Sequence, residues 1–112
     1  AYDLVDTAEF YKYYTDLMLF WHKRFIGKIY DLSYEELTEN QEQETRKLLE
    51  YCGLPWENAC LEFYKTKRVV NTASATQVRQ KMYTGSSQAW RKYKKHLQPL
   101  LDRLRIYGLT AE

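Results

Sequence analysis

Glycine, proline and cysteine are all scarce in this chain, at four, two and two residues of 112. So little Gly and Pro, with no repeat or biased stretch, excludes a low-complexity or disordered segment. Two cysteines, Cys52 and Cys60, fall on neighbouring predicted helices and are expected to be reduced core thiols rather than a disulfide framework. His22 and His96 are isolated, so a zinc site lacks ligands at workable spacing and no metal is expected. Long apolar runs are missing too. The longest, Leu17 to Trp21, is far too short to cross a bilayer. No signal-peptide pattern opens the chain, and a cytoplasmic location is the expectation. Absent as well is any glycine-rich loop of the kind that cradles phosphates before a helix.

What is present is the composition of a folded protein, 45% hydrophobic and 29% charged. The length allows one domain at most, with a modest core. Tyrosine is unusually common at eleven residues, a side chain that buries its ring and keeps its hydroxyl wet. The net charge of +2 hides an asymmetry. Residues 1–62 carry six Lys/Arg against thirteen Asp/Glu, while residues 63–112 carry eleven against two. A basic second half suits an anionic partner, whether nucleotide, nucleic acid or acidic peptide. Mutual neutralisation of the two halves within the fold is the plainer explanation.

The periodicity predicts a mainly α chain with one short strand. A first helix is expected over about Asp6 to Arg24, opened by Asp6 with Glu9 three residues on. Ala8, Tyr11, Tyr14, Met18 and Trp21 recur at helical spacing, and Phe10, Leu17 and Phe20 widen that stripe. So broad an apolar face calls for burial against more structure than one neighbour supplies. Residues 28–32 alternate well enough for a strand, which would need partners in a sheet to satisfy its backbone groups. A second helix is expected from about Thr38–Gln41 to Gly53, with Leu48, Leu49 and Cys52 inward. A third should open at Pro55 and place Trp56, Ala59, Cys60 and Phe63 on one face. The basic stretch from Lys65 to Thr72 reads as a loop, and Ser74 with Gln77 starts a short fourth helix toward Tyr83. The last helix is expected from about Ser87 to Tyr107, kinked by Pro99 and ended by Gly108.

Chemistry concentrates at Ser74 to Tyr83. A helix start there offers free backbone N–H groups and partial positive charge, which suit a phosphate. Ser74 and Thr76 add hydroxyls, and Arg79 and Lys81 add charge, with Lys67 and Arg68 close by in the preceding loop. Ordinary capping by Ser74 followed by a solvated polar helix explains the same residues. Glu35 and Glu36 are adjacent and so point different ways, which suits capping better than acid–base work. His22 is explained by the dipole at a helix end. The three tryptophans are expected as core anchors.

Taken in order, the short motifs Tyr34-Glu35-Glu36-Leu37, Gly53-Leu54-Pro55-Trp56, Thr72-Ala73-Ser74, Gln77-Val78-Arg79-Gln80, and Trp90-Arg91 with Tyr93 resemble the C-terminal part of a sulfotransferase. The resemblance is to the bacterial group related to the tyrosylprotein sulfotransferases, and it covers about Tyr11 to Leu101. Each motif alone is weak, and their order and separations carry the likeness. It implies a single segment over residues 1–112, the C-terminal portion of an α/β P-loop-type fold whose N-terminal phosphate-loop half is absent. It implies a donor, 3′-phosphoadenylyl sulfate (PAPS), with adenosine 3′,5′-bisphosphate as product. The implied donor contacts are Tyr34, Ser74, Thr76, Gln77, Val78, Arg79, Gln80, Lys81 and Tyr83. Relatives carry a further basic residue just before the tryptophan. Here Ala89 holds that position and Arg91 follows Trp90 instead. Lys81 stands where relatives often have proline.

No catalytic residue is assigned. Neutralising the leaving phosphate and supplying a base for the acceptor fall, in such enzymes, to the half that is absent. The chain is therefore expected to be inactive alone and to partner the missing half, or itself, through apolar surface. The alternative reading is a helical binding module whose basic half, Lys65 to Arg105, holds nucleic acid or an acidic protein. In it Arg91, Lys92, Lys94 and Lys95 surround Tyr93 as a backbone-contacting strip.

Overall fold

The computed structural model describes residues 3–110. Two compact units divide the chain, one comprising the residues up to Ile29 and those from Gln88 on, the other Tyr30–Ser87. Among the described residues, α1 (Leu4–Arg24), α2 (Tyr34–Glu39) and α3 (Gln41–Cys52) come first, 3₁₀ segments follow at Asn58–Lys65, Gln77–Arg79 and Ser86–Leu97, and α4 (Gln98–Ile106) comes last.

In the first unit α1 packs against α4. Asp3 rather than Asp6 caps α1, accepting hydrogen bonds from the N–H groups of Val5 at 2.7 Å and Asp6 at 3.2 Å. Both aspartates suit a cap, but Leu4 and Val5 are half-buried, so extending the helix over them gains apolar contact. His22, Lys23 and Arg24 occupy the last turn, where the dipole favours cations. Leu4, Ala8, Lys12, Thr15, Met18 and His22 are the less exposed positions at helical spacing. Ala8 is fully buried and Leu104 of α4 is 8% exposed. The Lys12 ammonium lies 5.9 Å from the Tyr107 ring centroid.

The expected stripe on α1 is therefore rotated. Ala8 and Met18 face inward, whereas Tyr11, Tyr14 and Leu17 are about half exposed and Phe10 is 76% exposed. Aromatic residues dominate periodicity by hydrophobicity, but the small Ala8 sits where the helix is buried. At the helix end Trp21 stacks on Phe25 at 5.5 Å and meets Phe20 edge-on at 5.0 Å.

In the second unit α2 packs on α3, and α3 meets the segment Asn58–Lys65. Ser33 Oγ accepts the Glu36 N–H at 3.3 Å and starts α2, with Glu35 and Glu36 in its first turn. Asn40, at φ −132° and ψ 56°, then separates α2 from α3, so the single helix expected from Thr38–Gln41 is preceded by a distinct turn of helix. Gly53 adopts φ 69°, and the Leu54 N–H reaches back to the Leu49 carbonyl at 2.9 Å. Together with Gly53 N–H to Glu50 carbonyl at 3.0 Å, this is a Schellman closure. Glu44 is buried at 7% exposure and accepts from Lys47 at 2.6 Å. The Arg46 guanidinium stacks 3.9 Å from the Trp56 ring centroid.

Three expectations change. The strand at 28–32 does not form, and no described residue is in a strand. A strand exists only through ladder hydrogen bonds, and no described segment supplies a ladder. Tyr30 instead sets its ring 4.9 Å from that of Tyr51. The helix expected at Pro55 begins at Asn58 and is 3₁₀, with non-helical backbone at Glu62. The last helix is divided, 3₁₀ over Ser86–Leu97 and α from Gln98, so Pro99 opens α4 rather than kinking a longer helix. Proline has no N–H to lose in a first turn. Cys52 is exposed and Cys60 half-buried, both free. No described helix is long and apolar enough to cross a membrane.

Candidate functional site

The second unit holds a cleft of about 430 Å³, within the range of small-molecule sites. Tyr34, the first residue of α2, forms one wall, with Phe63 from the 3₁₀ segment beside it. The opposite wall is the stretch Ser74 to Tyr83, which contributes Ser74, Gln77, Val78, Gln80, Lys81, Met82 and Tyr83. Residues separated by some forty positions thus converge because α2 and the segment Asn58–Lys65 both pack on α3, and the turn Gln77–Arg79 packs on that segment.

Local structure at that wall differs from the expected helix. Only Gln77–Arg79 is helical, as one 3₁₀ turn. The Ser74 carbonyl accepts the Val78 N–H at 3.1 Å, and Gln77 accepts the Gln80 N–H at 3.0 Å. Gln80 then turns extended, at φ −111° and ψ 152°. The side chains from Gln80 to Tyr83 therefore line the cleft from a loop and not from a helix face. Polar side chains without a long apolar stripe leave nothing to hold a longer helix in place.

The lining combines aromatic rings with the hydroxyls of Tyr34, Ser74 and Tyr83 and one cation, Lys81. Tyr34 and Tyr83 are exposed, Phe63 is half-buried, and Lys81 stands 5.7 Å from the Tyr64 ring centroid. Such a set can stack a planar base and pair with a phosphate. A second cavity of about 550 Å³ shares Phe63 and is lined by Ala59, Glu62, Lys65, Thr66 and Arg68. Lys65 donates to Glu62, and that hydrogen bond raises the Lys65 ammonium above its ordinary pKa.

The remaining sequence candidates lie elsewhere. Thr76 precedes the 3₁₀ turn and its carbonyl accepts the Arg79 N–H at 3.3 Å, but its side chain does not line the cleft. Arg79 turns its guanidinium to the carbonyls of Thr66 and Arg68. Arg91 belongs to the other unit, where it bonds Gln88 and lies 5.8 Å from the Trp90 ring centroid. Phe63 and Met82 carry no motif that marks them for the cleft. The spacing puts Phe63 on a helix face with Trp56, although its place just before the basic loop is a usable signal. Met82 was hidden by the helical period, since a loop presents neighbours that a helix would turn away. Among the described residues no group of three His, Cys, Asp or Glu side chains is placed to hold a metal ion.

Comparison with known proteins agrees in kind. A family model described as "Sulfotransferase family" matches residues 1–58. That region contains Tyr34 and ends before the Ser74 to Tyr83 wall. An "Uncharacterized protein" of Aquifex aeolicus (strain VF5) is 47% identical over 104 residues, which is 93% of this chain and 14% of that protein. The chain thus spans about a seventh of that relative's length. No solved structure matches it.

Proposed function

This chain belongs to the sulfotransferase family, and from that premise we propose that it is the C-terminal portion of an enzyme using PAPS. Its role is to hold the adenosine and 3′-phosphate side of the donor. In this reading the parent is an α/β P-loop-type protein of the bacterial group related to the tyrosylprotein sulfotransferases. The phosphate loop and the acceptor's base lie in a half outside this chain. PAPS supplies the sulfuryl group, and what the chain supplies is binding and orientation.

One observation carries the reading. Tyr34 and the stretch Ser74 to Tyr83, far apart in sequence, meet in one cleft with aromatic walls, hydroxyls and a lysine. Tyr34, Phe63 and Tyr83 are the residues to flank the adenine. Ser74 Oγ donates to a phosphate oxygen, and the Lys81 ammonium supplies the opposing charge. Gln77 and Gln80 offer amides to the sugar and base edges, and Val78 closes the floor. Arg91 is left out of this assignment, since its unit differs from that of the cleft.

The uncovered aromatic face of α1 fits the same proposal. Phe10, Tyr13, Leu17 and Phe20 are all more than half exposed on one helix, as expected for a surface that the remainder of a larger fold covers. Alone, the chain is expected to self-associate through it.

The test is a titration of adenosine 3′,5′-bisphosphate, with 5′-AMP as the control lacking the 3′-phosphate. Selective binding of the bisphosphate is expected, weakened by Ser74→Ala and by Lys81→Gln. Sedimentation of the same samples reads the association state. Equal binding of the two nucleotides, falling steeply with salt, would favour a basic nucleic-acid or acidic-protein surface instead.

A further inference from the structure

The Arg79 guanidinium is already engaged. Its Nη1 donates to the Thr66 carbonyl at 3.2 Å and its Nη2 to the Arg68 carbonyl at 3.3 Å. These bonds reach across thirteen and eleven residues, whereas the pairs along the helices, such as Arg46–Glu42 and Lys47–Glu44, stay within one turn. We propose that Arg79 is a positioning residue. In this role it fastens the basic loop at residues 66–68 to the wall of the donor cleft and does not itself touch the nucleotide. The inference rests on the donor-site reading and changes the part Arg79 plays within it.

Three features support the assignment. Residues 66–71 form no helix or strand, so their carbonyls carry no ladder or helix bonds and are open to a side-chain donor. Thr66 leaves the 3₁₀ segment at φ −63° and ψ 138°, and its carbonyl and that of Arg68 both come within reach of one planar fork. A guanidinium presents several donors at fixed angles, which a lysine ammonium cannot reproduce. Finally, Arg79 lies in the same turn as Gln77 and Val78, which line the first cleft, while Thr66 and Arg68 line the second cavity. Its fork therefore joins the walls of two cavities that share Phe63.

The consequence separates Arg79 from Lys81. A residue that touches phosphate contributes charge attraction that salt screens. A residue that holds a loop contributes order, which salt leaves alone. Three variants of the full chain decide the matter: Arg79→Gln, Arg79→Lys and, as reference, Lys81→Gln.

Without nucleotide, exchange of the Thr66 amide, which bonds the Phe63 carbonyl, should quicken about tenfold or more in both Arg79 variants, while α3 amides keep their protection and report intact folding. With adenosine 3′,5′-bisphosphate, both Arg79 variants should bind about tenfold more weakly, a change worth about 1.4 kcal/mol. Their dependence on salt should match the parent chain, and that of Lys81→Gln should be shallower. Full rescue by Arg79→Lys, loop exchange at the parent rate, or a salt dependence as shallow as that of Lys81→Gln would each overturn the proposal. Failure of every form to bind nucleotide would overturn the donor-site reading, and loop exchange would still decide what Arg79 holds.

Discussion

The two units secure their shape by different means. The first rests on α1 packed against α4, with Ala8 and Leu104 buried, a 3₁₀ segment leading into α4, and a long aromatic face left uncovered. The second carries its cleft on a short helix, two 3₁₀ turns and extended stretches, joined by hydrogen bonds from Arg79. Helix ladders satisfy their own backbone groups and ask of the sequence only an apolar stripe. A cleft wall must instead aim successive side chains at one point, and irregular backbone with distant tethers does that better. Helical contact sets stability in one unit, and individual polar bonds set geometry in the other.

The largest effect expected from breaking this contrast is at Leu104. It is buried against the helix pair, so Leu104→Ala removes apolar contact and leaves a void. The cost should be about 2–3 kcal/mol, read as a lower urea midpoint with amide exchange rising along α1 and α4. A loss below about 1 kcal/mol would mean that the helix contact is not anchored there.

A smaller effect is expected at the start of α1. Asp3 accepts two N–H groups, so Asp3→Ala should cost about 1 kcal/mol. The loss should show as faster exchange of the Val5 and Asp6 amides. Asp6 makes no such cap, and Asp6→Ala should cost less. If Asp6→Ala proves the more damaging, the helix begins later than Leu4.

How far the residues foretold these outcomes follows the same division. The end of α1 at Arg24, the closure of α3 at Gly53 and the stop at Gly108 were legible, because helical period and left-handed glycine act locally. The Gly108 closure repeats that at Gly53, with φ 73° and Leu109 N–H bonded to the Leu104 carbonyl at 2.8 Å. Which face of α1 turns inward was not legible. Helical period locates a stripe, but a neighbour selects among its edges, and small Ala8 outweighs the larger rings. The strand at 28–32 failed for the same reason, since alternation without a partner makes no ladder. At the cleft, Tyr34 is expected just past a strand and instead opens α2, while the stretch from Ser74 to Tyr83 is expected as a helix and is mostly loop. Nothing local announces that Arg79 bonds Thr66 and Arg68, because that tether depends on a fold across more than ten positions.

The smallest effect concerns the polar side of the second unit, at the pair of Glu44 and Lys47. Glu44 is buried and hydrogen-bonded to Lys47 at 2.6 Å. That bond, reinforced by the charge of Glu44, raises the Lys47 ammonium above its ordinary 10.5. Since the folded pKa exceeds the unfolded one, the stabilisation is complete below pH 10.5 and disappears as pH rises through the folded value. Lys12 beside Asp16 and Lys65 beside Glu62 are raised in the same direction, so all three pairs weaken in one alkaline window. Lys47→Gln should therefore flatten only part of the fall in urea midpoint above pH 10.5. Because Lys47 is about half exposed, water and salt screen the pair and the change should be slight. An alkaline limb identical in Lys47→Gln and the parent chain would show that the buried carboxylate does not depend on its lysine.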